Sequence, residues 1–102
     1  MLWQIARAAR EADVATVRFT ANIQRHVQCD ETIVAGATVR ETLDNVFAGN
    51  PDARGYVLDD QAGLRKHMTV FVDGRAVRDR LRLTDPVRPD SMIYVFQALS
   101  GG

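Results

Sequence analysis

At 102 residues and 46% hydrophobic content, the chain reads most simply as one small domain with one core, too short to hold both a cofactor-binding domain and a substrate domain. Thirteen basic and thirteen acidic residues cancel, so net charge provides no attraction for nucleic acid or an anionic membrane. Cys29 is the only cysteine, which excludes an internal disulfide and suits a reducing compartment, with the cytoplasm as the expectation.

Residues 1–15 read as an N-terminal extension. From Leu2 to about Ala12 alanine and arginine favour helix, and Leu2, Ile5, Ala9 and Ala12 fall on one side as a thin apolar stripe. Gln4, Arg7 and Arg10 interrupt the continuous apolar run that a signal peptide needs, and no stretch is apolar for long enough to span a bilayer. In Thr16-Val17-Arg18-Phe19-Thr20-Ala21 apolar and polar residues alternate at the period of a half-buried strand, with Val17 and Phe19 inward. Ile23 to Glu31 is polar and turn-like, and Thr32-Ile33-Val34-Ala35 resumes strand chemistry, so the two strands read as an antiparallel hairpin with an irregular, longish loop.

Thr38 and Glu41 have the spacing of a capping box. Val39, Leu43, Val46 and Phe47 follow at helical period, and Gly49 and Pro51 supply the stop. Pro51 to Tyr56 has the makings of a further short helical turn, and Asp59 to Gly63 is a loop. Strand period returns in His67 to Val72, with Met68, Val70 and Val72 on one face and Phe71 on the other. It ends at Asp73-Gly74, a tight-turn pair, before a brief return strand at Arg75-Ala76-Val77. Leu81, Leu83 and Val87 belong to an irregular crossing segment and are expected to pin its apolar groups to the core edge. Pro89-Asp90-Ser91 then turns the chain into a final strand at Ile93 to Phe96.

This order implies an α+β domain in which one main helix covers one face of a mixed sheet of four to five strands. The other face carries Phe71 and, with Ile93 and Val95 inward, Tyr94 and Phe96. Aromatics placed there form either a docking surface or a seat for the loops or the N-terminal helix. The sequence stops at Gly101-Gly102, which reads either as a frayed end or as bare backbone able to thread a narrow channel and present a carbonyl to attack.

The element order, the Phe71-Val72-Asp73-Gly74 turn, the Pro89-Asp90-Ser91 entry and the ending Gln97-Ala98-Leu99-Ser100-Gly101-Gly102 together resemble the MoaD/ThiS-type sulfur carriers. These are small ubiquitin-like β-grasp proteins of molybdopterin, thiamine and cysteine synthesis. The resemblance runs from Thr16 to Gly102, and Ile23-Gln24-Arg25-His26 with Leu64-Arg65-Lys66-His67 looks closest to the cysteine-synthesis branch. The extension before Thr16 departs from the family pattern.

The resemblance implies a β-grasp domain over residues 16–98 and a tail over 99–102. It implies a protein substrate rather than an enzyme, binding no cofactor of its own. A carboxylate of ordinary pKa about 3.3 to 3.7 is an unreactive anion near neutrality and needs activation. In this family a separate ATP-using enzyme of the MoeB/ThiF type adenylates the last glycine. Sulfur from a donor protein's persulfide then displaces AMP, and the resulting thiocarboxylate serves a downstream sulfur-accepting enzyme. Gly102 is then the reacting residue and Gly101 the threading one, while Phe96, Phe71 and Leu99 grip the partner. Ala76 stands where some relatives place a bulkier apolar contact.

The residues themselves supply no machinery for this reaction. There is no Gly-rich phosphate loop followed by Lys and Ser/Thr, so ATP belongs to a partner. His26 and Cys29 have the spacing of half a metal site, but only His67 remains to complete it, which favours surface or loop roles. Cys29 has no evident base beside it and reads as an ordinary thiol rather than a persulfide acceptor. Arg75, Arg78, Arg80, Arg82 and Arg88 form a basic run without interleaved aromatics, which reads as a solvated face, with steering toward an acidic partner as the second choice. Two other functions fit the same residues: a ubiquitin-like modifier joined through Gly102 to target lysines, and a β-grasp interaction module with an idle tail.

Overall fold

A computed structural model describes residues 14–98. The helix expected over Leu2 to Ala12 and the tail residues Leu99, Gly101 and Gly102 lie outside the described residues. Strand β1 (Val14–Phe19) begins ahead of Thr16, because Val14 and Ala15 continue the alternation: Ala15, Val17 and Phe19 are buried, and Val14 pairs with Ala35 of β2 (Thr32–Ala35). The loop between these antiparallel strands is less irregular than its composition implies. It folds a single helical turn, α1 (Ala21–Gln24), that buries Ile23 completely.

Helix α2 (Val39–Ala48) starts at the expected cap, where the Glu41 amide donates to Thr38 Oγ1 at 3.1 Å. The returning half of the box lands one residue upstream, as Ala37 N–H donates to Glu41 Oε1 at 3.2 Å. Pro51 does more than stop this helix. It opens a second one, α3 (Pro51–Val57), whose Ala53 amide is capped by Asn50 Oδ1 at 3.2 Å, the first helical turn being where a missing N–H costs least.

The remaining strands are β3 (Met68–Val72), β4 (Arg75–Ala76) and β5 (Met92–Gln97), and the sheet runs β2-β1-β5-β3-β4. β1 and β5 lie side by side in parallel and every other pairing is antiparallel, the mixed five-stranded sheet of a ubiquitin-like α+β fold. At the β3–β4 turn Asp73 and Gly74 both have positive φ, 50° and 86°, so the two-residue hairpin twists with its strands, a geometry the Asp-Gly pair accepts at low cost. Val17, Val70, Ile93 and Val95 from the sheet meet Val39, Leu43 and Phe47 from α2. A fully buried side chain such as Leu43 contributes about 1.5 to 3 kcal/mol.

The crossing segment does more than pin the core edge. Leu83 is fully buried at φ 57°, and its carbonyl and that of Asp85 accept the Arg40 and Val39 amides at 2.8 and 3.0 Å, satisfying helix-start donors that no turn of α2 can reach. Leu81 corrects the expectation: it is 75% exposed, whereas Val87 is buried as expected. The Arg40 guanidinium holds the carbonyls of Ala62, Leu81 and Arg82, so this stretch is tied down by backbone and the Leu81 side chain is left in water.

Asp79 organises the same segment, accepting from the Arg82 amide at 2.9 Å and the Thr84 hydroxyl at 2.6 Å. These bonds, the Thr84 hydroxyl foremost, lower its carboxyl from 3.8 to about 2. A depressed acid stabilises the fold above its ordinary pKa, and that contribution is lost as pH falls from about 3.8 toward 2. Thermal unfolding followed between pH 5 and about 2 is expected to show Asp79→Asn less stable than the parent at pH 5, with the gap closing in this window. A constant gap would mean that the carboxylate charge is immaterial.

Candidate functional site

Alternation along β5 sends Ile93 and Val95 into the core and Met92, Tyr94 and Phe96 to the opposite face. Pairing brings Phe71 of β3 opposite Tyr94, and Thr69 opposite Phe96. The rings of Phe71 and Phe96 meet edge to face at 5.5 Å, and Tyr94 and Phe96 lie 6.0 Å apart. They remain uncovered by the described residues: Phe96 is 43% and Tyr94 36% exposed. With Met92 and the Gly74 backbone they line a shallow apolar depression of about 380 Å3.

Met92 was absent from the expected patch although it stands two residues before Tyr94 on the same face, so the strand period already contained it. Ile33, 63% exposed, shares this side of the sheet through its pairing with Thr16, which itself pairs with Met92. Ala76 lies opposite Phe71 and is exposed. Arg18, paired with Glu31, borders Tyr94; the bond to Glu31 first, then Tyr94, raises its pKa and keeps it cationic. The patch therefore has an apolar centre and a charged margin.

β5 also carries the root of the tail. Ala98 N–H donates to the His67 carbonyl at 3.0 Å, and Tyr56 Oη donates to Gln97 Oε1 at 3.0 Å while stacking on His26 at 5.6 Å. The strand is thus held to its last described residue. Phe96 and Phe71 share one patch at this root; Leu99, Gly101 and Gly102 lie outside the described residues.

Cys29 is in a loop but not at the surface: it is 3% exposed, with Sγ donating to the Val27 carbonyl at 3.4 Å. Burial, followed by the nearby Asp30 charge, raises its pKa and keeps the thiol protonated and weakly nucleophilic. His26 stacks on Tyr56, and among the described residues no three His, Cys, Asp or Glu side chains gather as a metal site. No helix of the described residues is long and apolar enough to cross a membrane.

No protein-family model matches the sequence, and no curated protein matches it. Solved structures do match its fold. SAMP1 from Haloferax volcanii superposes with a TM-score of 0.73 at 22% identity, covering 87% of this chain and 99% of its own. A chain of the Amycolatopsis orientalis BexX/CysO complex superposes at 0.72 and 22% identity, covering 86% and 99%. Urm1 from Trypanosoma brucei follows at 0.62 and 15%, covering 88% and 96%. At such identities what these neighbours share with the chain is the fold, and in its fold the resemblance read from the sequence is met.

Proposed function

We propose that this protein is a ubiquitin-like sulfur carrier of the cytoplasm, a substrate of other enzymes rather than an enzyme. The observation that carries the reading is the aromatic patch left uncovered by the described residues, Tyr94 and Phe96 on β5 with Phe71 beside them on β3, because β5 is the strand that leads into the Gly101-Gly102 ending. A partner gripping that patch has the tail within its reach.

In this reading a MoeB/ThiF-like enzyme binds the patch and the ATP. The Gly102 carboxylate attacks the α-phosphorus, pyrophosphate leaves, and the carbonyl becomes an acyl adenylate. The terminal sulfur of a donor protein's persulfide attacks that carbonyl and AMP leaves. A second thiol then breaks the S–S bond, forming a disulfide with the donor and releasing the thiocarboxylate for a downstream sulfur-accepting enzyme. Gly101, without a Cβ, passes through a channel that side chains would block. Leu99 adds an apolar contact at the tail root. The protonated, buried Cys29 supports assigning the persulfide to a partner.

Co-expression with the activating enzyme and sulfur donor is expected to raise the intact mass by the difference between a sulfur and an oxygen atom, and deletion of Gly102 to abolish the gain. An unchanged mass with its activating enzyme present would overturn the reading.

A second reading, a protein modifier, draws on the neighbouring fold of the small archaeal modifier protein 1. The same activated carbonyl can be attacked by a lysine amine. A Ser100→Arg variant, which lets trypsin cut just before Gly101, is expected to leave Gly-Gly remnants on lysines of other proteins, and finding them by peptide mass spectrometry would establish it. Self-linkage has one possible acceptor, Lys66, the only lysine.

A further inference from the structure

The arginines of the second half do not share one role. Arg80 donates its guanidinium to the Met68 and Arg65 carbonyls and is spent on holding the loop before β3. Arg75, Arg78 and Arg88 instead line one groove of about 650 Å3, between the β3–β4 hairpin and the segment that leads to β5. All three are exposed. The ion pairs among the described residues, Arg18 with Glu31 and Arg40 with Asp44, involve none of them.

Asp73 and Asp85 share the groove but are engaged elsewhere. Asp85 accepts the Arg78 and Asp79 amides, each at 2.9 Å. Asp73 accepts the Met92 amide at 2.9 Å and the Ser91 hydroxyl at 2.8 Å. Both carboxylates are thus occupied mainly by amide and hydroxyl donors, with the Arg88 charge acting on Asp73 as the weakest of the influences on it. The three exposed arginines, whose fork geometry suits carboxylates, form no ion pair among the described residues.

We propose that this groove binds an acidic peptide segment of the partner that covers the aromatic patch. The Asp73-Gly74 turn forms a wall of both features, so one partner spans them without a gap. The proposal rests on that partner reading. Carboxylates arrive singly along a peptide and can alternate with Asp73 and Asp85, whereas a continuous phosphate backbone would be set against both. Among the described residues no aromatic ring lines the groove to stack a base, which argues further against nucleic acid.

The test uses the full chain and fluorescein-labelled decaglutamate in low salt, followed by fluorescence anisotropy. Arg78→Glu/Arg88→Glu is expected to weaken binding at least about tenfold, Arg25→Glu/Arg54→Glu to change it less than about twofold, and Phe96→Asp to leave it unaltered. With the activating enzyme, the groove variant is expected to raise KM with kcat retained. Absence of decaglutamate binding, equal losses in both double variants, tighter binding of a thymidine decanucleotide, or an unchanged KM would each overturn the groove assignment. Failure of wild-type protein to gain sulfur mass refutes the carrier reading alone, since the decaglutamate measurement does not depend on tail chemistry.

Discussion

Replacing Phe96 by aspartate is expected to weaken capture by the activating enzyme at least about 30-fold, the effect of removing a hot-spot anchor worth about 2 kcal/mol. The ring is 43% exposed and rests on Phe71 and Tyr94 rather than in the core. Its loss costs the free domain only the aromatic contacts, about 0.5 to 1.5 kcal/mol. In a complex the same position would be desolvated, and an aspartate there would be a buried charge without a partner. The expected signature is a large rise in KM for thiocarboxylate formation with a small change in Tm. A fall in Tm as large as that of Leu43→Ala, a full core truncation of about 2 to 5 kcal/mol, would make the aromatic cluster structural and remove it as a docking surface. Leu43 is the right comparison because it is fully buried on the opposite, helix-covered side.

Gly36→Ala is expected to be among the most disruptive single-atom additions to the domain. Gly36 joins β2 to the cap of α2, and a Cβ there would fall 2.1 Å from Thr42 Oγ1 and 2.8 Å from the Thr42 backbone. Thr42 cannot turn aside cheaply, being fully buried with its hydroxyl donating to the Thr38 carbonyl at 2.8 Å. Relief requires α2 to move away from the sheet, at a cost of about 3 kcal/mol, the upper part of the usual range for overpacking. At roughly 4 to 8 °C per kcal/mol this lowers Tm by about 12 to 24 °C. Adding Thr42→Ala should restore only part of the loss, since the close approach to backbone remains. A Tm within about 3 °C of the parent for Gly36→Ala alone would show that the strand and helix do not approach this closely.

Much of the fold was legible because its signals are short in range. Thr38 and Glu41 are three residues apart, Asp73-Gly74 is a dipeptide, and the alternation in β5 repeats every second residue. The open face of Phe71, Tyr94 and Phe96 followed from that alternation once a single helix was assigned to the other side. The N-terminal turn Ala21–Gln24 was missed because its polar composition conceals one buried residue, Ile23. Pro51 was ambiguous for a related reason: proline ends one helix and begins another with equal ease, and only the Asn50 cap distinguishes the cases.

By itself the sequence determined the strand and helix periods, the cap, the hairpin turn, the aromatic alternation and the Gly-Gly ending, because each depends on residues that are close neighbours along the chain. Only the tertiary structure decided that Leu83 enters the core while Leu81 faces water, that Cys29 is buried, that Gly36 meets Thr42, and that Arg75, Arg78 and Arg88 share a groove whose carboxylates are already engaged. Those outcomes come from segments distant in sequence meeting in space. There, backbone donors and acceptors must find partners, as when Arg40 ties down the crossing segment, and side chains occupy the volume that remains.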